Sequence, residues 1–209
     1  MFFEQLINGL TLGSTYALIA LGYTMVYGIV QLINFAHGEI YMFGAFAGLF
    51  LVAAFDVNIF WALLGAMAFC MLLGVVVERI AYRPLRGKSS RLSALISAIG
   101  VSIFLSTLMA LLRGTNTTRY PQMMSDKTFH LGSVEVSSMQ IIILLVSALL
   151  MVGLQLMIQK TRIGKAMRAC SQDIDASSLM GINVNRVISF TFAIGSSLAA
   201  AGGVMVGIY

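Results

Sequence analysis

The sequence predicts an all-α fold, a polytopic transmembrane helical bundle of about six membrane segments. Hydrophobic residues make up 59% of the 209 residues, and charged residues make up only 10%. Mean hydropathy is +0.92. A bilayer core about 30 Å thick needs roughly 20 apolar residues per helix, so apolar runs of about that length define the elements.

Six apolar runs approach or reach that length, in an order that alternates with polar loops. They cover residues 3–27, 40–55, 60–77, 92–112, 139–158 and the segment from 187 onward. Small residues recur at helical spacing within them and predict close helix packing, because lipid-embedded helices associate through such faces. The small pairs and rows are Gly9 with Gly13, Gly44 with Gly48, and Gly195, Ala199, Gly203 and Gly207.

The distribution of basic residues predicts the orientation of the bundle. None of the thirteen Lys and Arg residues precedes Arg79, five lie in residues 78–91, and five lie in residues 160–186. Residues 113–138 carry only three, together with two acids. By the positive-inside rule the first two loops are cytoplasmic and the third is external, which leaves the N-terminus outside. The net charge of +5 therefore indicates topology, and no nucleic-acid partner is expected.

The stretch "NFAHGEI" interrupts the apolar sequence and predicts a discontinuous segment near residues 28–40. Burying an ionised Glu39 near the bilayer centre would cost at least roughly 2.5–3.5 kcal/mol, so something must offset it. One interpretation is a broken membrane segment beside a wet transport path shaped by Asn34, His37 and Glu39. The other is a short cytoplasmic turn with a solvated imidazole and carboxylate. Residue types alone leave both open.

The sequence offers poor support for catalysis, a metal site or a cofactor. His37 and Glu39 stand two residues apart and so face different sides of a helix, and the other histidine, His130, falls in the external loop. Residues 86–90, "RGKSS", end like a phosphate-binding loop, but the earlier glycine that such a loop requires would fall at Tyr82. We therefore expect no catalytic residue, no metal and no cofactor bound by this chain.

The polar stretch 161–186 predicts a short capped helix between two membrane crossings. Asp173 can cap it, Asp175 adds favourable charge to its first turn, and Gly181 can supply a left-handed end, so residues 174–180 should form about two turns. The preceding residues 163–170 predict a basic amphipathic helix at the interface with four side chains inward, namely Ile163, Ala166, Met167 and Cys170. An interfacial elbow and a docking element for a soluble partner both fit these residues.

Three long stretches together resemble one family, the permease subunits of bacterial ABC importers for branched-chain amino acids. They are "NGLTLGSTYALIALGYTMVYGIVQLINFAHGEIYMFGAF" (8–46), "ERIAYRPLRGKSSRLSALISAIGVSIFL" (78–105) and "IGKAMRACSQDIDASSLMGINVNRVISFTFAIGSSLAAAGGV" (163–204). "NFAHGE" is also similar to sister permeases for urea and other small amides.

The resemblance implies one transmembrane permease domain over residues 1–209, with a cytoplasmic coupling helix at about 173–181 that docks on an ATPase. Its core would be Asp175, Ala176, Ser177, Leu179, Gly181 and Ile182, with Gly164, Arg168 and Ala169 on the approach. It also implies location in the bacterial inner membrane, with ATP and Mg on the partner subunits. The implied partners are a second related permease, two ATP-binding cassette subunits and a periplasmic amino-acid-binding protein. Family members continue beyond Tyr209, so the chain is expected to lack their C-terminal segments.

Two other classes compete with this interpretation. An ion-coupled secondary carrier would need ionisable residues on several membrane helices, and only Glu39 is a candidate inside an apolar run. A membrane-embedded hydrolase would need a catalytic constellation that the residue pattern does not supply. Both are therefore less favoured than a transport subunit without its own ATPase site.

Overall fold

The computed structural model describes residues 2–85, 91–114, 116–121, 128–131 and 134–209, and it confirms the helical membrane fold. Six of its helices are long and apolar enough to cross a bilayer. The helices are α1 Phe2–Val30, α2 His37–Phe55, α3 Ile59–Val77, α4 Arg91–Arg113, α5 Ser138–Lys160, α6 Arg162–Gln172, α7 Ile174–Leu179 and α8 Val184–Ile208. A π-helical turn, Glu78–Tyr82, and a 3-10 turn, Arg83–Leu85, extend α3.

A short β-hairpin adds to the all-α expectation. Strand β1, Thr128–Leu131, pairs antiparallel with β2, Val134–Ser137, so that Thr128 lies opposite Ser137. The hairpin lies in the loop between α4 and α5 and leads directly into α5. The helical bundle itself is as predicted.

Side-chain caps fix where most of the later helices begin. The Asp173 carboxylate accepts from the Ala176 N–H at 2.9 Å, and Ser137 forms a reciprocal capping box with Gln140. Each cap satisfies a backbone donor that the first helical turn leaves unpaired. The other capping residues are Asn58 for α3, Thr161 for α6 and Asn183 for α8.

Helix α8 is the centre of the bundle, because 16 of its 25 residues are buried and it packs against α1, α2 and α3. Its small residues allow this contact. A Cβ added to Gly22 of α1 would lie 2.7 Å from the Gly195 carbonyl oxygen, and one added to Gly203 would meet the Tyr41 carbonyl of α2. These approaches confirm the predicted packing role of the α8 glycines.

The small pair on α1 behaves differently. A Cβ added to Gly9 or Gly13 would have no described atom within 4 Å, so neither glycine permits a close helix contact within the described chain. The prediction that this pair packs helices together is therefore wrong for the chain by itself. Both glycines are exposed on the outer surface of the bundle.

The two ends of the helical bundle differ in charge. At one end Arg83 contacts Ser189, and Gly28 shares a cavity with Arg168, so the loops rich in Lys and Arg meet there. We call this the basic end. At the opposite end the Asn8 side chain accepts from Gln140 and from the Tyr209 hydroxyl. The N-terminal end of α1 thus lies away from the basic loops, in agreement with the parity of the predicted crossings.

Candidate functional site

A non-helical connector, residues 31–36, joins α1 to α2. The His37 Nε2 atom donates to the Ile19 carbonyl oxygen at 3.2 Å. Ile19 precedes the end of α1 at Val30 by eleven residues, about 16 Å of helix, so the first residue of α2 contacts α1 well inside the basic end of the bundle. The predicted discontinuity near residues 28–40 is therefore present, and it lies at membrane depth.

Hydrogen bonds inside the connector allow non-helical backbone at this depth. The Asn34 Oδ1 atom accepts from the Ala36 N–H at 3.1 Å and from the Tyr82 hydroxyl at 2.8 Å. The His37 N–H donates to the Asn34 carbonyl at 3.2 Å. Asn34 and His37 are each only 3% exposed. Because irregular backbone is tolerated at membrane depth only when packed in protein or facing a wet cavity, the broken-segment interpretation fits and a solvated histidine does not.

An open cavity of about 400 Å³ lies between α1 and the connector, and we call it the connector cavity. This volume is in the range of small-molecule pockets, about 300–1,000 Å³. The His37 ring stands edge-on to the Tyr23 ring, with centroids 5.6 Å apart. The lining residues are Tyr16, Ile19, Ala20, Tyr23, Asn34, Phe35, His37 and Gly38.

The connector cavity places a potential donor and a potential acceptor beside apolar walls. Because His37 Nε2 donates to a carbonyl, Nδ1 of the neutral ring is an acceptor. Both recorded bonds of the Asn34 amide use its oxygen, so its nitrogen is the atom that can donate to a ligand. A molecule with both an ammonium and a carboxylate group would find complementary partners in these two side chains.

Glu39 does not share that cavity. Its Oε1 accepts from the Ser102 hydroxyl of α4 at 2.9 Å, and it is absent from the cavity lining. The spacing of two residues explains the separation, since it turns the carboxylate to another side of α2 than His37. The structure thus brings together two of the three predicted path residues and directs the third toward α4.

The predicted short capped helix is present as α7. Asp173 caps it, and Gly181 follows it with φ +82°, the left-handed conformation that favours glycine. Ser177 is buried and its carbonyl accepts from the Ile182 N–H at 3.1 Å, which closes the C-terminal end. Asp175 and Ala176 are exposed on the opposite surface. The six residues predicted for the core of the coupling segment therefore lie in α7 and in the turn that follows it.

The tip of that helix is apolar and exposed. Leu179 is 89% exposed and Met180 is 83% exposed, at the basic end of the bundle. Two neighbouring apolar side chains exposed on a capped helix can serve as a docking contact. Met180 was not among the predicted site residues, although it follows Leu179 directly in the sequence.

The approach helix α6 agrees with its prediction except at one position. Met167 and Cys170 are buried, Ala166 is half-buried, and Ile163, expected inward, is 43% exposed. The reason is Gly164, whose added Cβ would meet the Ile158 carbonyl of α5 and which therefore makes the close contact in place of its neighbour.

Two predicted approach residues flank that buried face. Arg168 is exposed and its Nη1 donates to the Ile158 carbonyl, which links the α6 surface to the end of α5. Ala169 is half-buried beside it.

Sequence reasoning missed a polar cluster at the end of α3. Glu78 is completely buried and pairs with Arg83 across a spacing of five residues. In an α-helix, side chains three or four residues apart meet, so a spacing of five does not predict a pair. The π-helical turn, with its i to i+5 bonding, brings these two residues together.

Among the described residues, no group of three or more His, Cys, Asp or Glu side chains is placed to hold a metal ion. Residues 86–90, with their partial phosphate-loop pattern, lie outside the described residues.

Comparison with known proteins identifies the family. The family described as "Branched-chain amino acid transport system / permease component" matches residues 5–209. The chain is 45% identical to the high-affinity branched-chain amino acid transport system permease protein LivH of Salmonella typhimurium, over 99% of this chain and 70% of that protein. LivH of Escherichia coli K12 is 44% identical with the same coverage.

A similar protein from another genus gives the same result. The permease protein BraD of Pseudomonas aeruginosa, named for the same kind of transport system, is 45% identical over 99% of this chain and 71% of its own length. No solved structure gives a significant match. The six membrane-spanning helices and the match over nearly the whole chain lead to one conclusion: this multi-pass membrane protein belongs to the family of permease components of branched-chain amino acid transport systems.

Proposed function

We propose that the chain is the membrane-spanning permease subunit of an ABC importer and carries branched-chain amino acids across the bacterial inner membrane. It acts with a second related permease, two ATP-binding cassette subunits that bind ATP and Mg, and a periplasmic amino-acid-binding protein. The chain itself performs no covalent chemistry. Membership of the permease family and the names of the LivH and BraD relatives support this assignment.

The observation that carries the proposal is the exposed apolar tip of α7. Burying a Leu or Met side chain contributes roughly 1.5–3 kcal/mol, so Leu179 and Met180 provide a strong contact for a hydrophobic groove on a soluble partner. Cytoplasmic location of the basic end means that this partner is cytoplasmic. An ATPase subunit that changes shape with its nucleotide state is such a partner.

The position of α7 in the chain allows a displacement of this helix to be transmitted to the proposed transport path. It joins α6 to α8, and α8 packs along α1 and α2, the two helices that line the connector cavity. Closure of the ATPases would move α7 and rock the bundle between outward and inward access. Because a partner can shift an equilibrium only through different affinity for its two states, the α7 contact must differ between them.

In the same proposal the connector cavity forms part of the substrate path. The acceptor on His37 suits an α-ammonium group, the amide nitrogen of Asn34 suits a carboxylate, and the apolar wall suits a branched side chain. Glu39 contributes indirectly by holding the first turn of α2 against Ser102 of α4.

Variants of α7 in the reconstituted complex test the coupling role. Leu179→Asp and Gly181→Val should reduce substrate-stimulated ATP hydrolysis at least tenfold and weaken co-purification of the ATPase, since the first adds a charge to the apolar tip and the second strains a left-handed turn. Gln172→Asp, which adds the same charge nearby on an exposed position, is the control. Normal hydrolysis and uptake in both α7 variants would refute the coupling role.

A further inference from the structure

A second concave surface lies between α1 and α5, and we call it the α1/α5 groove. It consists of two adjoining cavities of about 180 and 220 Å³ that share Thr24, Met25 and Ile158. Its deeper part reaches Leu154, and its other end opens beside Arg168 on α6. The groove therefore runs from the apolar middle of the bundle to the basic end.

The groove is separate from the connector cavity. On α1 the cavity is lined by Tyr16, Ile19, Ala20 and Tyr23, whereas the groove is lined by Leu21, Thr24, Met25 and Gly28. At about 100° per residue the two sets are centred on different sides of the helix, and they adjoin where Ala20 and Thr24 stand one turn apart. A third side of α1 packs against α8, as Gly22 does. A ligand of the groove would therefore be distinct from a substrate in the connector cavity.

The mouth of the groove carries one basic side chain, and further basic residues lie near it in the sequence. Arg168 and Ser171 of α6 line it. Between residues 155 and 172 the sequence holds four basic residues and no acidic one. These basic residues are Lys160, Arg162, Lys165 and Arg168, and all four are exposed. A mainly apolar groove with Arg168 at its mouth and three more exposed cations nearby on α5 and α6 matches the two halves of an anionic lipid.

We propose that the α1/α5 groove binds an anionic phospholipid of the cytoplasmic leaflet. One acyl chain lies along Met25, Ile158 and Leu154, and the headgroup phosphate contacts the Arg168 guanidinium and the Ser171 hydroxyl. The neighbouring lysines on α5 and α6 add attraction for the negative headgroup. Bound there, the lipid seals the gap between α1 and α5 and steadies α6, the helix that leads into α7.

Lipid retention in nanodiscs tests the proposal. The full chain is reconstituted in equal amounts of phosphatidylglycerol and phosphatidylcholine, and retained lipids are counted by native mass spectrometry. Wild-type protein should retain more phosphatidylglycerol than phosphatidylcholine. The ratio of the two retained lipids should rise about fivefold for each Lys or Arg that contacts the headgroup. Equal retention of the two lipids would overturn the proposal.

Two matched pairs of variants locate the lipid. Gly28→Leu fills the groove, since an added Cβ there meets nothing within 4 Å, and should abolish the preference, whereas Gly153→Leu has the same free space outside the lining and should keep it. Lys160→Gln with Lys165→Gln should lower the preference several-fold, and Arg119→Gln in the external loop should not.

Two results would count against the lipid. One is equal behaviour of the Gly28 and Gly153 variants together with no effect of the lysine pair. The other is efficient cross-linking of a Thr24→Cys variant to another subunit of the complex, because a protein would then cover the groove. The lysine pair keeps the test decisive if the Gly28 variant fails to fold, since those two side chains are exposed.

Discussion

Arg83 binds Glu78 through two parallel hydrogen bonds, with Nη2 3.1 Å from Oε2 and Nε 3.3 Å from Oε1. Ser189 near the start of α8 joins them, donating to Glu78 Oε2 at 2.8 Å and accepting from Arg83 Nη2 at 2.6 Å. The cluster ties the π-helical end of α3 to the helix that follows the coupling segment.

Removal of the arginine should destabilise the protein, because Arg83→Ala leaves a buried carboxylate without this cation. Breaking a buried pair costs about 3–5 kcal/mol, and the 36% exposure of Arg83 lowers the expectation to about 2–3 kcal/mol. Thermal unfolding in detergent should show the loss as a lower Tm. Ser189→Ala should cost only about 1 kcal/mol. An equal Tm for wild type and Arg83→Ala would contradict the proposed importance of the pair.

Bulk at the α1–α8 and α2–α8 contacts should also be costly. Gly203→Val places a side chain against the Tyr41 carbonyl and should destabilise by about 1–3 kcal/mol or more. Gly153→Val is the control, because an added Cβ there meets no described atom within 4 Å. Denaturation of both variants in the same detergent provides the comparison, and similar losses would argue against close packing at α8.

The connector cavity should determine uptake. His37→Ala removes the acceptor and the Tyr23 contact, so uptake of a branched-chain amino acid should fall about tenfold or more if one ligand hydrogen bond to a charged group is lost. Asn34→Ala should have a similar effect and should also free the Tyr82 hydroxyl. Uptake into vesicles by the assembled complex is the measurement.

Glu39→Gln is the informative comparison for that prediction. Its amide can still accept from Ser102, so uptake should stay within a few-fold of wild type. A loss as large as that of His37→Ala would mean that the carboxylate charge itself takes part in transport.

Tyr120 should stabilise the external end in a manner that depends on pH. Its hydroxyl donates to the Ala45 carbonyl, and the ring fills space beside Gly48 and Gly207. Burial raises the pKa of Tyr120, so the folded protein keeps the phenol neutral while an unfolded chain ionises it above its usual value of 10.0. This contribution is complete below pH 10 and is lost as pH rises further. Tyr120→Phe should cost about 1 kcal/mol at pH 8 and less at higher pH, as measured by Tm.

Much of the fold could be predicted from local sequence. The length of the apolar runs located the six spans, and the distribution of Lys and Arg predicted which ends of the spans lie together. Both patterns reflect the properties of the bilayer. The capped helix α7 was predictable for a similar reason. Asp173 accepts a hydrogen bond from a residue only three positions away, and Gly181 ends the helix through its own backbone conformation. Both interactions are therefore visible in the local sequence.

The depth of the connector could not be predicted in that way. "NFAHGEI" indicated a break, but its position at membrane depth depends on the contact of His37 with Ile19, and the support of Asn34 depends on Tyr82. Likewise, no local pattern could direct Glu39 to Ser102. These partners are 18, 48 and 63 residues apart.

The sequence by itself therefore determined which segments are long and apolar enough to cross the membrane, which end is basic, and where a short capped helix forms. Tertiary structure alone decided which polar side chains share a cavity and which are paired inside the bundle. The physical reason is that solvent preference and capping act over one turn of chain, whereas a buried polar group is satisfied by whichever neighbour helix packing brings to it. Glu78 and Ser189, 111 residues apart, show how far that neighbour can be in sequence.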